Sequence, residues 1–244
     1  MDDDIDDPEP ACPPPAWASD VIDACKARVG LEVYPPSDDT FLLLEALASD
    51  ITLLCRSSAS LLSKSMVCLE IGPGSGAVSA GLSELLKVEG AKDAKVLPFF
   101  MAVDKNPAAA RCTSAVFQAR EVMVADVIQG SLTDCLRQSG FADVVICNPP
   151  YVPTDEDEMQ GCGISVSWAG GSRGREVIDV LMPKVARILS NRGLFYLVCI
   201  AENDPEELLE NGRALGFLAE KVKQEQRGME ELFILRFQKA TESS

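Results

Sequence analysis

The feature that constrains the fold most is a regular alternation of short apolar runs with amphipathic stretches between residues 66 and 215. Strands buried in a parallel sheet are short and almost uniformly apolar, whereas helices that pack on one side carry apolar residues on one face. The alternation predicts an α/β fold with a doubly wound, mostly parallel sheet of seven strands. The predicted strands are Met66–Ile71, Val96–Val103, Glu121–Val124, Ala142–Cys147, Leu194–Ile200, Phe217–Val222 and Leu232–Phe237.

The end of the chain departs from this alternation. The last two apolar runs have only polar residues between them, and a parallel connection needs a longer crossover, so one of these two strands should run antiparallel to the rest. The predicted helices begin near Ser37 or Asp38, cover residues 76–87, begin at Pro107, and cover residues 175–189 and Pro205–Leu215.

The chain is predicted to consist of one domain and a tail. Residues 1–16 combine six acids with five prolines, a composition that cannot bury enough apolar surface to fold, so we expect a disordered tail. Residues 17–244 contain no internal repeat and are predicted to form a single domain.

The residue types exclude several kinds of chemistry. The chain has no His, which excludes an imidazole base or metal ligand. It has nine Cys but no Cys-x-x-Cys pair, which argues against a zinc site. We expect reduced, buried thiols and therefore a reducing compartment, the cytoplasm and also the nucleus. Neither a signal peptide nor a run of membrane-spanning length is predicted.

The charge distribution argues against binding to nucleic acid. The chain has 22 Lys and Arg against 38 Asp and Glu, which gives a net charge of −16. Most of the excess lies in three acidic segments, residues 1–10, 155–158 and 202–210. A phosphate backbone would be repelled by these segments unless a second subunit supplied positive charge.

A glycine-rich turn follows the first strand and indicates a cofactor site. Gly72, Gly74 and Gly76 lie between this strand and the next helix, where glycines allow a tight turn and close approach of a ligand to the backbone. Together with Ala77, this turn also fits the dinucleotide pattern, so a nicotinamide oxidoreductase is an alternative.

Three acids favour S-adenosylmethionine as the cofactor. Asp104 ends the second strand, where a carboxylate can accept both ribose hydroxyls of a nucleoside. Glu70 lies inside an apolar strand and needs a partner, which the ammonium and sulfonium groups of this cofactor would supply and a pyrophosphate would not. Asp126, placed after the third predicted strand, is expected to reach the adenine amine.

The fourth strand runs directly into Asn148-Pro149-Pro150-Tyr151, the strongest local signal in the chain. The prolines fix the turn, and Asn148 then lies at the carboxyl end of the sheet, where ligands of such folds bind. Its Oδ1 and the Pro149 carbonyl can accept the N–H groups of a planar amine, with Tyr151 packed on the plane. Methyl transfer to such a nitrogen needs positioning and electrostatics but no base. The alternatives are a Cys147 thiolate nucleophile and an inactive binding subunit.

These motifs resemble those of class I methyltransferases that act on planar amines, and over about residues 31–239 the chain is similar to the eukaryotic HemK-type glutamine methyltransferases. The closer resemblance lies in Val33–Phe41, in Trp168-Ala169-Gly170-Gly171 with Gly174-Arg175-Glu176, and in Gly193–Leu197 with Ala201–Pro205. Residues 88–95 look like a short polar insertion. The resemblance implies a seven-stranded methyltransferase fold in which the substrate amide contacts Asn148 and the cofactor contacts Thr40, Glu70, Gly72, Asp104, Asp126 and Val127.

The resemblance also implies a substrate and a partner. The expected substrate is the Gln of the Gly-Gly-Gln loop in the eukaryotic release factor, with histone lysine as the alternative and nucleic-acid adenine as a less favoured one. The expected partner is a small activator subunit that carries its own zinc. In a sheet ordered as in this class, residues 121–124 form an apolar edge strand without the usual protection, which invites strand addition by that partner.

Overall fold

The computed structural model describes residues 33–59, 66–93, 98–122, 124–154 and 169–240. The predicted tail, the acidic run at 155–158 and Trp168 lie outside these residues. The helices are α1 (Asp38–Ser49), α2 (Ile51–Ala59), α3 (Ala77–Asp93), α4 (Pro107–Ala119), α5 (Glu176–Ile188) and α6 (Pro205–Ala214). The strands are β1 (Val67–Ile71), β2 (Phe99–Asp104), β3 (Ala125–Gln129), β4 (Ala142–Cys147), β5 (Leu189–Ile200), β6 (Phe217–Arg227) and β7 (Glu230–Lys239).

The strands form a seven-stranded sheet in the order β3-β2-β1-β4-β5-β7-β6. Neighbouring strands from β3 to β5 pair in parallel, whereas β7 pairs antiparallel with both β5 and β6. The predicted doubly wound α/β sheet with one antiparallel strand near the C-terminus is therefore confirmed. The single reversal follows from the short β6–β7 connection, because a tight turn can join only antiparallel strands.

Two apolar clusters cover the two faces of the sheet. One contains Leu42, Leu82 and Val116 from α1, α3 and α4, and the other contains Val185 from α5 and Leu208 from α6. Helices on both sides leave the carboxyl ends of the central strands as the open edge, which is where ligands bind in sheets of this kind. No helix in the described part of the chain has the length and apolar character needed to cross a bilayer.

The third strand does not lie where the sequence predicts it. The apolar residues after α4 leave the helix in a turn: Glu121 has a φ of 50°, and the Val122 N–H donates to the Phe117 carbonyl at 2.9 Å. A residue bonded back to its own helix cannot join a ladder, so β3 begins only at Ala125 and pairs with β2 from there. The expectation that residues 121–124 form the strand is wrong, although the third strand does lie at the edge of the sheet.

Other boundaries differ by a few residues. The helix predicted over residues 76–87 continues to Asp93, so most of the apparent polar insertion at 88–95 is helical. β5 begins at Leu189 rather than Leu194, with a register shift opposite the Ala142–Val144 segment of β4. Periodicity identifies the elements, whereas pairing with neighbouring strands decides where they end.

Candidate active site

A cavity of about 900 Å³ opens at the carboxyl ends of the central strands. It brings together eight of the predicted site residues from four separate parts of the chain. These are Thr40, Glu70, Gly72, Gly74, Asp104, Asn148, Pro149 and Tyr151. Gly76, Asp126 and Val127 are not among the residues that line it.

The glycine turn presents its backbone to this cavity. Gly72 and Gly74 have φ values of 68° and 55°, and a Cβ at either position would meet no atom within 4 Å. Gly76 has a different task, since a Cβ there would lie 3.0 Å from Thr113 in α4. The first two glycines leave room for a ligand, whereas the third allows α3 and α4 to pack closely.

Asp104 joins the tip of β2 to this turn. Its Oδ2 accepts from the Gly74 N–H at 3.2 Å, and its Oδ1 accepts from the Asn106 N–H at 2.8 Å. Burial raises the pKa of this carboxyl group, and the two backbone donors oppose the shift. Each carboxylate oxygen has further lone pairs, so the group can still accept hydroxyl groups of a bound nucleoside.

Glu70 finds its partner inside the protein. Its side chain is 2% exposed, and its Oε2 accepts from both the Ser79 backbone N–H, at 3.0 Å, and the Ser79 hydroxyl. The partner that burial of Glu70 requires is therefore supplied by Ser79 of the chain itself. Burial raises the pKa of Glu70 to about 7, against the effect of these hydrogen bonds. Glu70 lines the cavity and can change its charge near neutral pH.

Asn148 holds the most informative atom of the site. Its Nδ2 donates to Asp39 Oδ2 at 2.9 Å, whereas its Oδ1 is buried and has no hydrogen-bond partner. Tyr151 donates its hydroxyl to the same Asp39 oxygen at 3.0 Å. A buried acceptor without a donor is costly, and the residue that carries this one is among those that line the cavity.

Asp39 is the functional residue that sequence reasoning missed. It lies in the first turn of α1 and is 4% exposed, 109 residues from Asn148 in the chain. Acids in the first turn of a helix normally lie at the surface and stabilise the helix by interacting with its dipole. The sequence therefore predicts no more than a helix start at Asp39. The available signal is the pair of acids directly before an apolar run, one of which has to face the core.

Cys147 also lines the cavity, but its environment opposes a thiolate. Burial raises the pKa of this thiol, and the charges of Glu70 and Asp104 raise it further. Thiol nucleophiles need the opposite environment, an electropositive one that lowers the pKa. The alternative of a Cys147 nucleophile is not supported by this site.

Asp126 and Val127 lie within β3 and line a separate depression of about 560 Å³ between this strand and α4. Asp126 therefore does not follow the third strand as expected. The residues that follow β3 and line the large cavity are Ser131 and Leu132. The displacement has the same cause as the shifted strand, because the later start of β3 moves Asp126 from beyond the strand end into the strand itself.

The charged groups of the cavity fit S-adenosylmethionine better than a dinucleotide. Its described lining contains four acids, Asp39, Glu70, Asp104 and Glu230, against the single cation of Lys105. Acids attract a ligand with ammonium and sulfonium groups and repel a pyrophosphate. Within the described ranges, no group of three or more Cys, Asp or Glu residues is placed to hold a metal ion.

Comparison with known proteins identifies the family. No family model matches the chain. It is 39% identical over 210 residues to the methyltransferase HEMK2 of Mus musculus, covering 86% of this chain and 91% of that protein. It is 35% identical over 213 residues to the eRF1 methyltransferase catalytic subunit mtq2 of Schizosaccharomyces pombe, covering 84% and 88%.

Solved structures show the same fold. The E. cuniculi Mtq2–Trm112 complex, described as responsible for methylation of the termination factor eRF1, matches with a TM-score of 0.56 and 22% identity, over 86% of this chain and 99% of that one. A putative class I S-adenosylmethionine-dependent methyltransferase from Listeria monocytogenes matches with a TM-score of 0.58 and 14% identity, over 93% and 70%. Because the chain has this sheet and is 39% identical to HEMK2 over 86% of its own length, it belongs to the HEMK2 family of S-adenosylmethionine-dependent methyltransferases.

Proposed function

We propose that this enzyme methylates the side-chain amide nitrogen of the Gln in the Gly-Gly-Gln loop of the eukaryotic release factor. The observation that carries the proposal is the unpartnered, buried Oδ1 of Asn148, a residue that lines the cavity. A glutamine amide supplies the N–H that this acceptor lacks. The S. pombe relative named as an eRF1 methyltransferase supports the choice of protein substrate.

The main contribution of this chain to the reaction is to position the substrate amide for methyl transfer. The bound cofactor supplies a methyl group activated by a sulfonium. The amide nitrogen is a weak nucleophile because its lone pair is delocalised, so Asn148 Oδ1 orients it through one N–H and stabilises the positive charge that develops there. No base is needed before transfer, in agreement with a chain that has no His. Tyr151, whose hydroxyl donates to Asp39, lines the cavity next to the proposed position of the amide.

Mass spectrometry of candidate substrates tests the proposal. Release factor and histones are incubated with the enzyme and isotope-labelled S-adenosylmethionine, each with and without the small partner. We expect label on the Gln of the Gly-Gly-Gln loop and none on a release factor in which that Gln is replaced by Ala. Label on histone lysine, with an unlabelled release factor, would show that the substrate is wrong.

We further propose that a small zinc-bearing activator subunit adds a strand to β3. The Phe100 N–H donates to the Val124 carbonyl at 2.9 Å, and bonds alternate along a parallel strand, so the Val127 N–H faces the free edge. That N–H is held at 2.9 Å by the side chain of its neighbour, Asp126. Beside this edge lies the depression that Phe117 and Val122 help to line, both of them with buried side chains. The E. cuniculi relative, solved as an Mtq2–Trm112 complex, supports this kind of partner.

Changing Val127 to Pro should prevent co-purification with the partner. Proline removes the outward N–H but is tolerated on an edge strand, so the sheet should survive. The matched control is Val127→Thr, which keeps the N–H and the β-branched shape. Pull-down of the co-expressed subunit measures the effect. A Val127→Pro complex that forms as well as the Thr control would exclude β3 as the interface. Val122 is unsuitable for this test because it is buried at 8% exposure.

The affinity for the cofactor product should fall with acidification. The ionised form of Glu70 attracts the ammonium group of S-adenosylhomocysteine, and the pKa of about 7 means that this form is lost below neutrality. We expect the dissociation constant to rise at least about tenfold between pH 7.5 and 5.5, since a group titrates over this range when its pKa lies within it. Calorimetric titration measures it. Glu70→Gln should bind weakly at both values, and an unchanged pH slope in that variant would rule out Glu70.

A further inference from the structure

The Asp39 carboxylate uses both oxygens as acceptors, and each oxygen is bonded in a different direction. On the side of the site, Oδ2 accepts from Asn148 Nδ2 at 2.9 Å and from the Tyr151 hydroxyl at 3.0 Å. On the side of its own helix, Oδ1 accepts from the Ser37 hydroxyl at 2.9 Å and from the Thr40 N–H at 2.6 Å. At 4% exposure, Asp39 has little access to water that could replace these donors.

An asparagine amide has one donor end and one acceptor end of almost the same shape, so its orientation is set by its neighbours. A carboxylate beside it can only accept, which turns the Nδ2 of Asn148 towards Asp39 and leaves the buried Oδ1 without a partner in the protein. We infer that Asp39 is a positioning residue that fixes the acceptor end of Asn148 towards the substrate amide. The inference rests on the proposed role of Asn148 and adds the residue that sets the orientation of its amide.

The surroundings of Asp39 predict what an isosteric Asn would do there. The backbone N–H of Thr40 cannot reverse its direction, and the Ser37 hydroxyl points at the same oxygen. These donors would hold the oxygen of the substituted side chain, so that its NH₂ would face Asn148. Asn148 would then turn its own oxygen towards that NH₂ and present Nδ2 to the cavity, where it would oppose the N–H of the substrate.

This reasoning predicts an unusual order of activities. Asp39→Asn should lower kcat roughly 100-fold, comparable with loss of an aimed hydrogen-bonding group in an active site. Asp39→Ala should retain several times more turnover than Asp39→Asn, because it leaves Asn148 free to adopt either orientation. A purely structural role predicts the opposite order, since Asn fills the site and Ala leaves a gap.

An exchange of the two groups provides the decisive measurement. In the double variant Asp39→Asn, Asn148→Asp, the amide now on α1 donates to one oxygen of the carboxylate that follows β4. The other oxygen of that carboxylate can accept the substrate N–H in either orientation of the group. Single-turnover methylation of release factor by the full chain with its activator should recover at least about tenfold relative to Asp39→Asn. Urea unfolding of each variant verifies that the fold is intact.

Two results would overturn the inference. One is an Asp39→Asn enzyme within threefold of wild-type turnover while Asn148→Ala is inactive, which would leave the proposed function in place. The other is a double variant no better than Asp39→Asn together with an Asp39→Ala enzyme that is less active still. If Asn148→Ala keeps its turnover on release factor, the role given to Asn148 fails and the inference about Asp39 fails with it, whereas methylation of release factor would stand.

Discussion

Asn148→Ala should lower kcat by roughly 10²–10³, as expected for loss of one aimed group that stabilises developing charge. The amide of the substrate then has no acceptor at the place where Oδ1 now lies without a partner. The affinity for S-adenosylhomocysteine should stay within a few-fold, because Gly72, Gly74 and Asp104 still line the cavity.

Single-turnover kinetics with release factor, together with calorimetry of S-adenosylhomocysteine, separate these two effects. The matched control is Asn211→Ala, the same substitution at an exposed position on α6, which should leave both quantities unchanged. Retention of more than about a tenth of wild-type turnover by Asn148→Ala would contradict the role given to Asn148.

Asn203→Ala should destabilise the protein strongly. Asn203 is fully buried, and its Oδ1 accepts from the Ile200 N–H at 2.8 Å. Its Nδ2 donates to the carbonyls of Tyr151, Arg173 and Gly174 at 2.8, 3.0 and 3.3 Å. Alanine would leave several buried backbone groups unpaired, each at about 1–3 kcal/mol, so we expect the free energy of unfolding to fall by roughly 3–5 kcal/mol.

Urea unfolding measures this loss, with Asn211→Ala again as the control, expected within about 0.5 kcal/mol of wild type. A loss below about 1 kcal/mol would show that water replaces the side chain of Asn203. Because the Tyr151 carbonyl is one of its acceptors, the surviving folded enzyme should also turn over more slowly. The neighbouring Arg173 and Arg175 do not line the cavity and both pair with Glu207, Arg173 from an exposed position and Arg175 from a buried one.

Much of the site can be predicted because its residues adjoin elements with clear local patterns. The glycine turn follows an apolar strand, Asp104 ends the next one, and Asn148 follows a third, so all three meet at the carboxyl edge of a parallel sheet. The burial of Glu70 is predictable for the same reason, since it interrupts an apolar run. Its partner Ser79 is not, because an acid inside a strand does not indicate which residue will donate to it.

The sequence by itself determined the order of strands and helices, the single reversal near the C-terminus and the edge of the sheet where ligands bind. These follow from apolar periodicity and connection length, which are local properties of the chain. Only the tertiary structure decided that the residues directly after α4 form a turn bonded back to that helix instead of beginning β3. Only the tertiary structure, likewise, brought Asp39 to Asn148, which lies 109 residues further along the chain. Such contacts depend on register and packing between distant segments, and a residue carries no local mark of the donor or acceptor that folding will bring to it.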